Sequence, residues 1–315
     1  MDLLIYSLKR IGVSIMTLFL VAAITFFLMN AIPGSPFMTE RSTPEQIEQA
    51  NIKYGLDKPV PVQFVNYVKN LLHGDMGVSL KMQEGTDVTT ILFGQGKFGR
   101  SIRLGVMALL VAVVVGIPLG TLAAYYRGKW IDNILRVLTT LGVAMPSFVI
   151  ATLMLFGFGV HLGWFPVQSG NLETPITYVM PVICLAFYPS CYIAKLTRTS
   201  MLDSISQDYI RTARAKGVKT KVILFKHALR NSLIPVITYL GPLTAGIITG
   251  SLVVEQIFNV PGVGNYFVSS ILNRDYPVIM GTTILLGCLI IIMNLVVDIA
   301  YKIVDPRINI TKKGN

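Results

Sequence analysis

The sequence predicts an all-α integral membrane protein with six transmembrane helices. Only 14% of its 315 residues are charged and 53% are hydrophobic, whereas soluble domains carry about 25% charged residues. The apolar residues are concentrated in runs of about 20, which is long enough to cross a bilayer at a helical rise of ~1.5 Å per residue. Lys and Arg lie mainly at the ends of these runs, as they do in membrane proteins.

The first apolar run, residues 11–32, predicts the first transmembrane helix. It is longer than the apolar core of a signal peptide, about 7–15 residues, and no small-residue cleavage pattern follows it. Several later runs contain proline, which bundled membrane helices tolerate because neighbouring helices satisfy the freed backbone groups. The five further predicted spans are residues 102–125, 134–160, 176–193, 233–254 and 278–304.

The positive charges predict the orientation. A net charge of +11 would suit nucleic acid, but we exclude that partner because the charges flank the spans, where they orient helices and contact anionic lipid. If the N-terminus is inside, most of the 27 Lys and Arg residues face the cytoplasm, and the short outer loops 161–175 and 255–277 carry only Arg274. Both termini of this multi-pass membrane protein are therefore expected in the cytoplasm.

This orientation places residues 33–100 outside, as a small helical cap. Thr43-Pro44-Glu45-Gln46 predicts a helix start with a capping box, and Gly55 predicts its end. A second helix over residues 61–73, ending at Gly74, has one apolar face. That face is formed by Phe64, Tyr67, Val68, Leu71 and Leu72. The expected divisions are 1–32 for the first span, 33–100 for the cap, 101–304 for the core and 305–315 for a cytoplasmic tail.

Signals for catalysis are weak. Residues 94–101 resemble a phosphate-binding loop, but Arg100 stands where Lys is needed, and a transmembrane helix is predicted there without a preceding strand. HExxH and GxSxG do not occur, and the three histidines are isolated from other ligand types. The sequence thus predicts no catalytic residue, no metal site and no cofactor in this chain. Cys184, Cys191 and Cys288 are expected to be small apolar side chains.

Ionisable residues inside membranes mark ion pathways in ion-coupled carriers, and few are found here. Asp298 and Lys302 are four residues apart and are expected to pair, and Glu255 is expected to cap the outer end of the fifth helix. An ion-coupled secondary carrier is disfavoured and stays open as a distant alternative.

The basic segment 206–230 predicts two helices joined by a glycine, within an elbow over residues 203–230. The first helix, 206–216, should end at Gly217, with Ile210, Ala213 and Gly217 on a face that a partner contacts and with cations around it. The second, from about Thr220, should align three apolar side chains. These are Val222, Phe225 and Leu229. From the residues alone, a basic loop lying on anionic lipid is an equal alternative.

Two stretches in this elbow resemble the EAA loop of ABC importer permeases, in the version of the peptide/nickel branch. They are Arg211-Thr-Ala-Arg-Ala-Lys-Gly217 and His227-Ala-Leu-Arg-Asn-Ser-Leu-Ile-Pro235. Arg211, Thr212, His227 and Arg230 depart from the general pattern. Further motifs through the chain resemble the B subunits of oligopeptide and dipeptide permeases. They include Tyr54-Gly-Leu-Asp-Lys-Pro, Leu71-Leu-His-Gly-Asp-Met-Gly-Val-Ser79 and Glu255-Gln-Ile-Phe-Asn-Val-Pro-Gly-Val-Gly264.

The resemblance implies the transmembrane domain of a type I ABC importer for oligopeptides that works by alternating access in the plasma membrane of a bacterial cell. The implied partners are a second, homologous permease in a heterodimer, two cytoplasmic ATPases that bind ATP and Mg²⁺, an extracellular solute-binding protein, the peptide and membrane lipid. Dipeptides, nickel or glutathione remain alternative cargoes. The implied ATPase-coupling residues are Arg211, Thr212, Ala213, Arg214, Gly217, His227 and Leu229. The candidates for an outer gate or binding-protein docking are Glu255, Pro261, Gly262, Gly264, Asn273, Arg274 and Asp275.

Overall fold

The computed structural model describes residues 2–37, 43–169, 174–219 and 222–304, with the side chains of residues 2–11, Lys226 and 298–304 left out of the description. Over these ranges the regular structure is helical, with one isolated antiparallel β-bridge between Val78 and Asp87. The α-helices are α1 (Asp2–Ala31), α2 (Pro44–Tyr54), α3 (Val60–Leu72), α4 (Val88–Phe93), α5 (Lys97–Tyr125), α6 (Trp130–Ala144), α7 (Ser147–Met154), α8 (Pro175–Ile205), α9 (Asp208–Ala215), α10 (Leu229–Ile248), α11 (Leu252–Ile257), α12 (Gly264–Leu272) and α13 (Tyr276–Val304). A 3₁₀ turn at Gly94–Gly96 precedes α5, and π-helical turns at Leu155–His161 and Ile223–Ala228 follow α7 and precede α10.

Five stretches among the described residues are long and apolar enough to cross a membrane, and a bent pair of helices brings the number to six if it counts as one span. This agrees with the six predicted runs. The five are Gly12–Ala31, Val88–Tyr125, Pro175–Ile205, Ile223–Ile257 and Tyr276–Val297.

The third predicted span, residues 134–160, is wrong as a single helix. It consists of two helices, Trp130–Ala144 and Ser147–His161, bent by 103°. The break falls at Pro146, because proline lacks an N–H and its ring disfavours helical backbone angles for the residue before it. Met145 accordingly has φ −78° and ψ 126°, an extended conformation.

The fifth predicted span, residues 233–254, also differs. Its helix starts earlier, in the π-helical turn, and α10 stops at Ile248. Gly250 follows with φ +94°, a conformation that other residues rarely adopt. The chain then starts the short helix α11, where the Ser251 side chain accepts a hydrogen bond from the Val254 N–H. Glu255 therefore lies within α11 and does not cap the end of the long helix as expected.

The chain forms two compact units. The first comprises Met1–Gly99 and Gly262–Ile291. In it, α2 has the predicted capping box between Thr43 and Gln46, and Gly55 ends the helix at φ +69°. Phe64 of α3 is buried against Phe26 of α1, with ring centroids 5.3 Å apart. Leu72, expected on the same apolar face, is instead 82% exposed.

The second unit comprises Arg100–Pro261 and Ile292–Asn315. Its core forms where α5 and α8 approach each other at glycines of α5. A Cβ added at Gly116 would lie 2.8 Å from the Ile193 Cβ, and one at Gly120 would overlap the Ala194 carbonyl oxygen. Small residues allow membrane helices this close backbone approach, and glycine is required at both positions. The largest buried side chains here include Phe258, Leu104, Met180 and Ile193.

Candidate functional site

The elbow, residues 203–230, contains α9, the turn at Gly217 and the π-helical turn before α10, and it lies in the second unit. Gly217 has φ +74°, and its N–H donates to the Arg214 carbonyl at 2.9 Å. The Val218 N–H donates to the Ala213 carbonyl at 3.1 Å. These bonds satisfy the last carbonyls of α9, as glycine C-caps commonly do, so the predicted helix end at Gly217 is confirmed.

One face of α9 packs against other helices of the same chain. Ile210 has no exposed surface and Ala213 is half-buried. Both lie in an apolar cluster, here called the elbow plug, that joins α9 to α5, α8 and the π-helical turn. Its buried members are Ala124, Met201, Ile210, Ile223, Leu224 and Ala228. The expectation that Ile210 faces a partner is therefore wrong, because the side chain is already buried inside this chain.

The outer face of α9 is polar and exposed. Arg211, Thr212 and Arg214 are exposed, and a Cβ on Gly217 would meet no atom within 4 Å. The guanidinium of Arg211 lies 3.5 Å from the Asp208 carboxylate, but both side chains are largely exposed, and such pairs contribute little to stability. Arg211 and Arg214 are therefore accessible on this face of α9 to a partner protein.

The second arm of the elbow divides its apolar side chains between two sides. Ile223 and Leu224 are buried in the plug, whereas Val222 and Phe225 of the predicted stripe are 40% and 60% exposed. Leu229 packs on the plug as a partly buried residue. His227 is also half-buried. The sequence did not predict the hydrogen bond from Asn231 Nδ2 to the Tyr209 hydroxyl, 3.0 Å, which ties α9 to α10.

Among the outer candidates, Asp275 is a structural residue of the first unit. It is fully buried, and its carboxylate accepts hydrogen bonds from the Ser79 hydroxyl and from three consecutive backbone N–H groups. Those of Leu80, Lys81 and Met82 lie 3.0, 3.1 and 2.9 Å away. The prediction that Asp275 lines the gate is corrected by this burial, because both oxygens already hold the loop at residues 79–82.

The other outer candidates of the first unit differ in exposure. Asn273 and Arg274 are exposed, and the Arg274 guanidinium donates to the Pro33 carbonyl at 3.2 Å. Gly262 and Gly264 are buried. Sequence reasoning missed the neighbouring Tyr266, whose hydroxyl accepts from Lys97 Nζ at 2.8 Å and Gln83 Nε2 at 3.0 Å. In the same unit, burial raises the pKa of the Tyr67 hydroxyl, which therefore stays protonated.

In the second unit, Glu255 and Pro261 are the outer candidates. Glu255 is 2% exposed and accepts a hydrogen bond from the Ser101 hydroxyl at 2.8 Å. It thus ties α11 to α5. Pro261 is half-buried at the end of this unit. The expected pair of Asp298 and Lys302 falls outside the described side chains.

A buried ion pair that the sequence did not predict joins α6 to α8. The Arg198 Nε donates to Asp132 Oδ1 at 2.7 Å, and Nη2 donates to Oδ2 at 2.9 Å. The Gly128 N–H completes the site with a bond of 2.9 Å to Oδ2. The Asp132 side chain is only 3% exposed. The one signal in the sequence, an acid two residues after a helix start, is too common to have indicated a partner 66 residues away.

Nothing in the described part of the chain brings three or more His, Cys, Asp or Glu side chains into a group that could hold a metal ion. Cys184 is buried and Cys191 and Cys288 are half-buried, all as free thiols.

Comparisons with known proteins agree with this architecture. Residues 116–310 match the family described as binding-protein-dependent transport system inner membrane component, and residues 3–84 match the N-terminal family of such membrane components. The dipeptide transport system permease protein DppB of Bacillus subtilis is 45% identical over 98% of this chain and 99% of its own length. The oligopeptide transport system permease protein OppB of Haemophilus influenzae is 43% identical over 96% and 98%.

A solved structure of the MetNI methionine ABC transporter in inward-facing conformations shares the fold. It aligns with a TM-score of 0.54 at 18% identity, over 66% of this chain and 94% of that chain. Both relatives are named permease proteins of peptide transport systems. This chain therefore belongs to the family of inner membrane components of binding-protein-dependent transport systems, as a multi-pass, non-catalytic permease subunit with the transmembrane fold of a type I ABC importer.

Proposed function

We propose that this chain forms one half of the translocation pathway of an ATP-driven importer of peptides. The full-length similarity to permeases named for dipeptides and oligopeptides supports this cargo. A second, homologous permease supplies the other half. Two cytoplasmic ATPases, which bind ATP and Mg²⁺, supply the energy, and an extracellular solute-binding protein delivers the peptide.

Both termini lie in the cytoplasm in this proposal, because the positive charges of the elbow then face inward. The elbow contacts one ATPase. The observation that carries this assignment is the division of α9 into a buried face, centred on Ile210, and an exposed cationic face with Arg211 and Arg214. Arginine presents several donors in a fixed planar arrangement, which suits carboxylates and carbonyls on a partner surface.

The same geometry supports alternating access. The elbow plug packs α9 against α5 and α8, and its side chains Ile210 and Met201 are fully buried. A displacement of α9 would therefore move α5 and α8 as well. Closure of the ATPases around ATP would move the elbow, and hydrolysis would reset it. On the outer side, exposed Asn273 and Arg274 belong to the surface that meets the binding protein, whereas Asp275 holds the loop at residues 79–82 of the same unit.

The elbow is tested with Gly217→Trp in the complete transporter, reconstituted in proteoliposomes with its partner permease, ATPases and binding protein. Positive φ costs about 1–2 kcal/mol for an L residue, and the indole would occupy space that an ATPase is proposed to fill. We expect peptide-stimulated ATP hydrolysis and uptake to be abolished while the chain still inserts in the membrane.

Gly55→Trp is the matched control, since Gly55 is also a helix C-cap at φ +69° with no atom within 4 Å of its Cβ position, but lies in the cap. Normal uptake in Gly217→Trp would remove the elbow from the coupling mechanism. Assembly with ATPases but no response to dipeptides or oligopeptides would redirect the cargo to nickel or glutathione. Uptake driven by a proton gradient without ATPases would favour the ion-coupled carrier.

A further inference from the structure

The ion pair of Asp132 and Arg198 holds α6 against α8 near the start of α6. Near the end of α6, a Cβ on Gly142 would overlap the Cys191 sulfur, so the two helices are in close contact there as well. The ten residues from Asp132 to Gly142 span roughly 15 Å of α6 at ~1.5 Å per residue. Two contacts this far apart fix both the distance and the angle between the helices. With the ion pair removed, α6 would keep its close packing at Gly142 but lose its polar link to α8 at Asp132.

On α8, Arg198 lies next to the part of the helix that carries the elbow. Met201, three residues further on, is fully buried in the elbow plug with Ile210 and Leu224. One turn earlier, Ala194 contacts Gly120 of α5. The ion pair thus joins α6 to the segment of α8 on which a displacement of the elbow would arrive. It does so through a bidentate contact, which holds a planar guanidinium in one orientation.

The burial of the pair makes it intolerant of partial loss. The side chain of Asp132 is 3% exposed and that of Arg198 is 19% exposed. Removing the Asp132 carboxylate would leave the largely buried guanidinium without its acceptor. Removing one partner of a buried ion pair costs more stability than replacing both by apolar residues, because the remaining charge is uncompensated.

We propose that Asp132 and Arg198 are positioning residues for transport, which pass the displacement of the elbow from α8 to α6 and hence to the bend at Met145-Pro146. This inference rests on the proposed function of the elbow. Neither side chain needs to touch cargo or nucleotide in this role. Without the pair, ATP hydrolysis would continue while less of its displacement reached α6.

The test is the number of peptides taken up per ATP hydrolysed by the complete transporter in proteoliposomes. In Asp132→Asn and Arg198→Gln, we expect this ratio to fall on the order of tenfold, the effect on an equilibrium of losing one hydrogen bond to a charged group. Copurification with the ATPases should be unchanged. The reversed pair, Asp132→Arg with Arg198→Asp, should recover part of the ratio. Lys195→Gln, which removes an exposed positive charge from the same helix, should leave it unchanged.

If the neutral variants fail to reach the membrane, Arg198→Lys carries the test, since lysine keeps the charge but loses the bidentate contact. A normal ratio in the variants, with only their abundance lowered, would make the pair a brace for folding and overturn the inference. In that case the wild-type response to peptide would still support the proposed function. A wild-type complex without any response to peptide would overturn both.

Discussion

Asp275→Ala is expected to destabilise the first unit strongly. The substitution removes the acceptor of four hydrogen bonds from the loop at residues 79–82. Two of the donors, the Ser79 hydroxyl and the Leu80 N–H, belong to buried residues. We expect a loss of roughly 2–6 kcal/mol, because each buried donor left unsatisfied costs about 1–3 kcal/mol. The thermal unfolding temperature of the purified protein in detergent should fall, and proteolysis within residues 79–82 should accelerate.

Two variants separate this effect from a general loss of charge. Asp275→Asn keeps one oxygen, which can serve the three donors at Oδ2, but places an amide against the Leu80 N–H, so a smaller loss is expected. Asp75→Ala removes an exposed carboxylate that accepts one bond, from the Gly77 N–H at 2.7 Å, and should have little effect. Equal stability of Asp275→Ala and the wild type would show that the loop is held by other contacts.

Gly120→Leu is expected to prevent the close packing of α5 on α8. The first carbon of the new side chain would overlap the Ala194 carbonyl oxygen and lie 2.7 Å from the Thr197 Cβ. Neither neighbour can rotate away, since one is backbone and the other is the branch point of a fully buried side chain. Overpacking usually costs about 1–3 kcal/mol, and we expect at least the upper end here because two backbones must separate. The yield of monodisperse protein and its unfolding temperature measure the effect.

Gly99→Leu provides the comparison on the same helix, because a Cβ at Gly99 meets no atom within 4 Å and the residue is exposed. It should be tolerated. If the two variants behaved alike, helix propensity at the glycines would explain the result, and the contact between α5 and α8 would not.

Three prolines in the predicted spans have different effects on the backbone, which the sequence did not predict. The sequence places Pro146, Pro181 and Pro189 alike, within long apolar runs. The structure breaks the chain by 103° at Pro146, yet α8 continues through both of the others. Proline removes the same backbone donor each time, so the different outcomes depend on what packs around each position. Close contacts with α5 follow Pro189 directly along α8, at Ser190 and Ile193. The order of residues in the sequence does not reveal these contacts.

In the elbow, too, one feature was predictable from the sequence and another was not. Its helix end at Gly217 was predictable, since a C-cap depends on the conformation of a single residue. Which face of α9 is free was not, because Ile210 has the same spacing whether it meets a partner or its own chain. Only the positions of Met201 and Leu224 decide that it is buried.

The sequence by itself therefore determined the membrane class, the number of apolar runs, the start of helix α2 at Thr43 and the family resemblance. Each depends on composition, on run length or on residues within one helical turn of each other. The tertiary structure alone decided the bend at Pro146, the burial of Asp275 and the pairing of Asp132 with Arg198. These depend on groups far apart in the chain. A charge that the fold removes from water needs an opposite charge nearby, and the sequence does not show which residue will lie there.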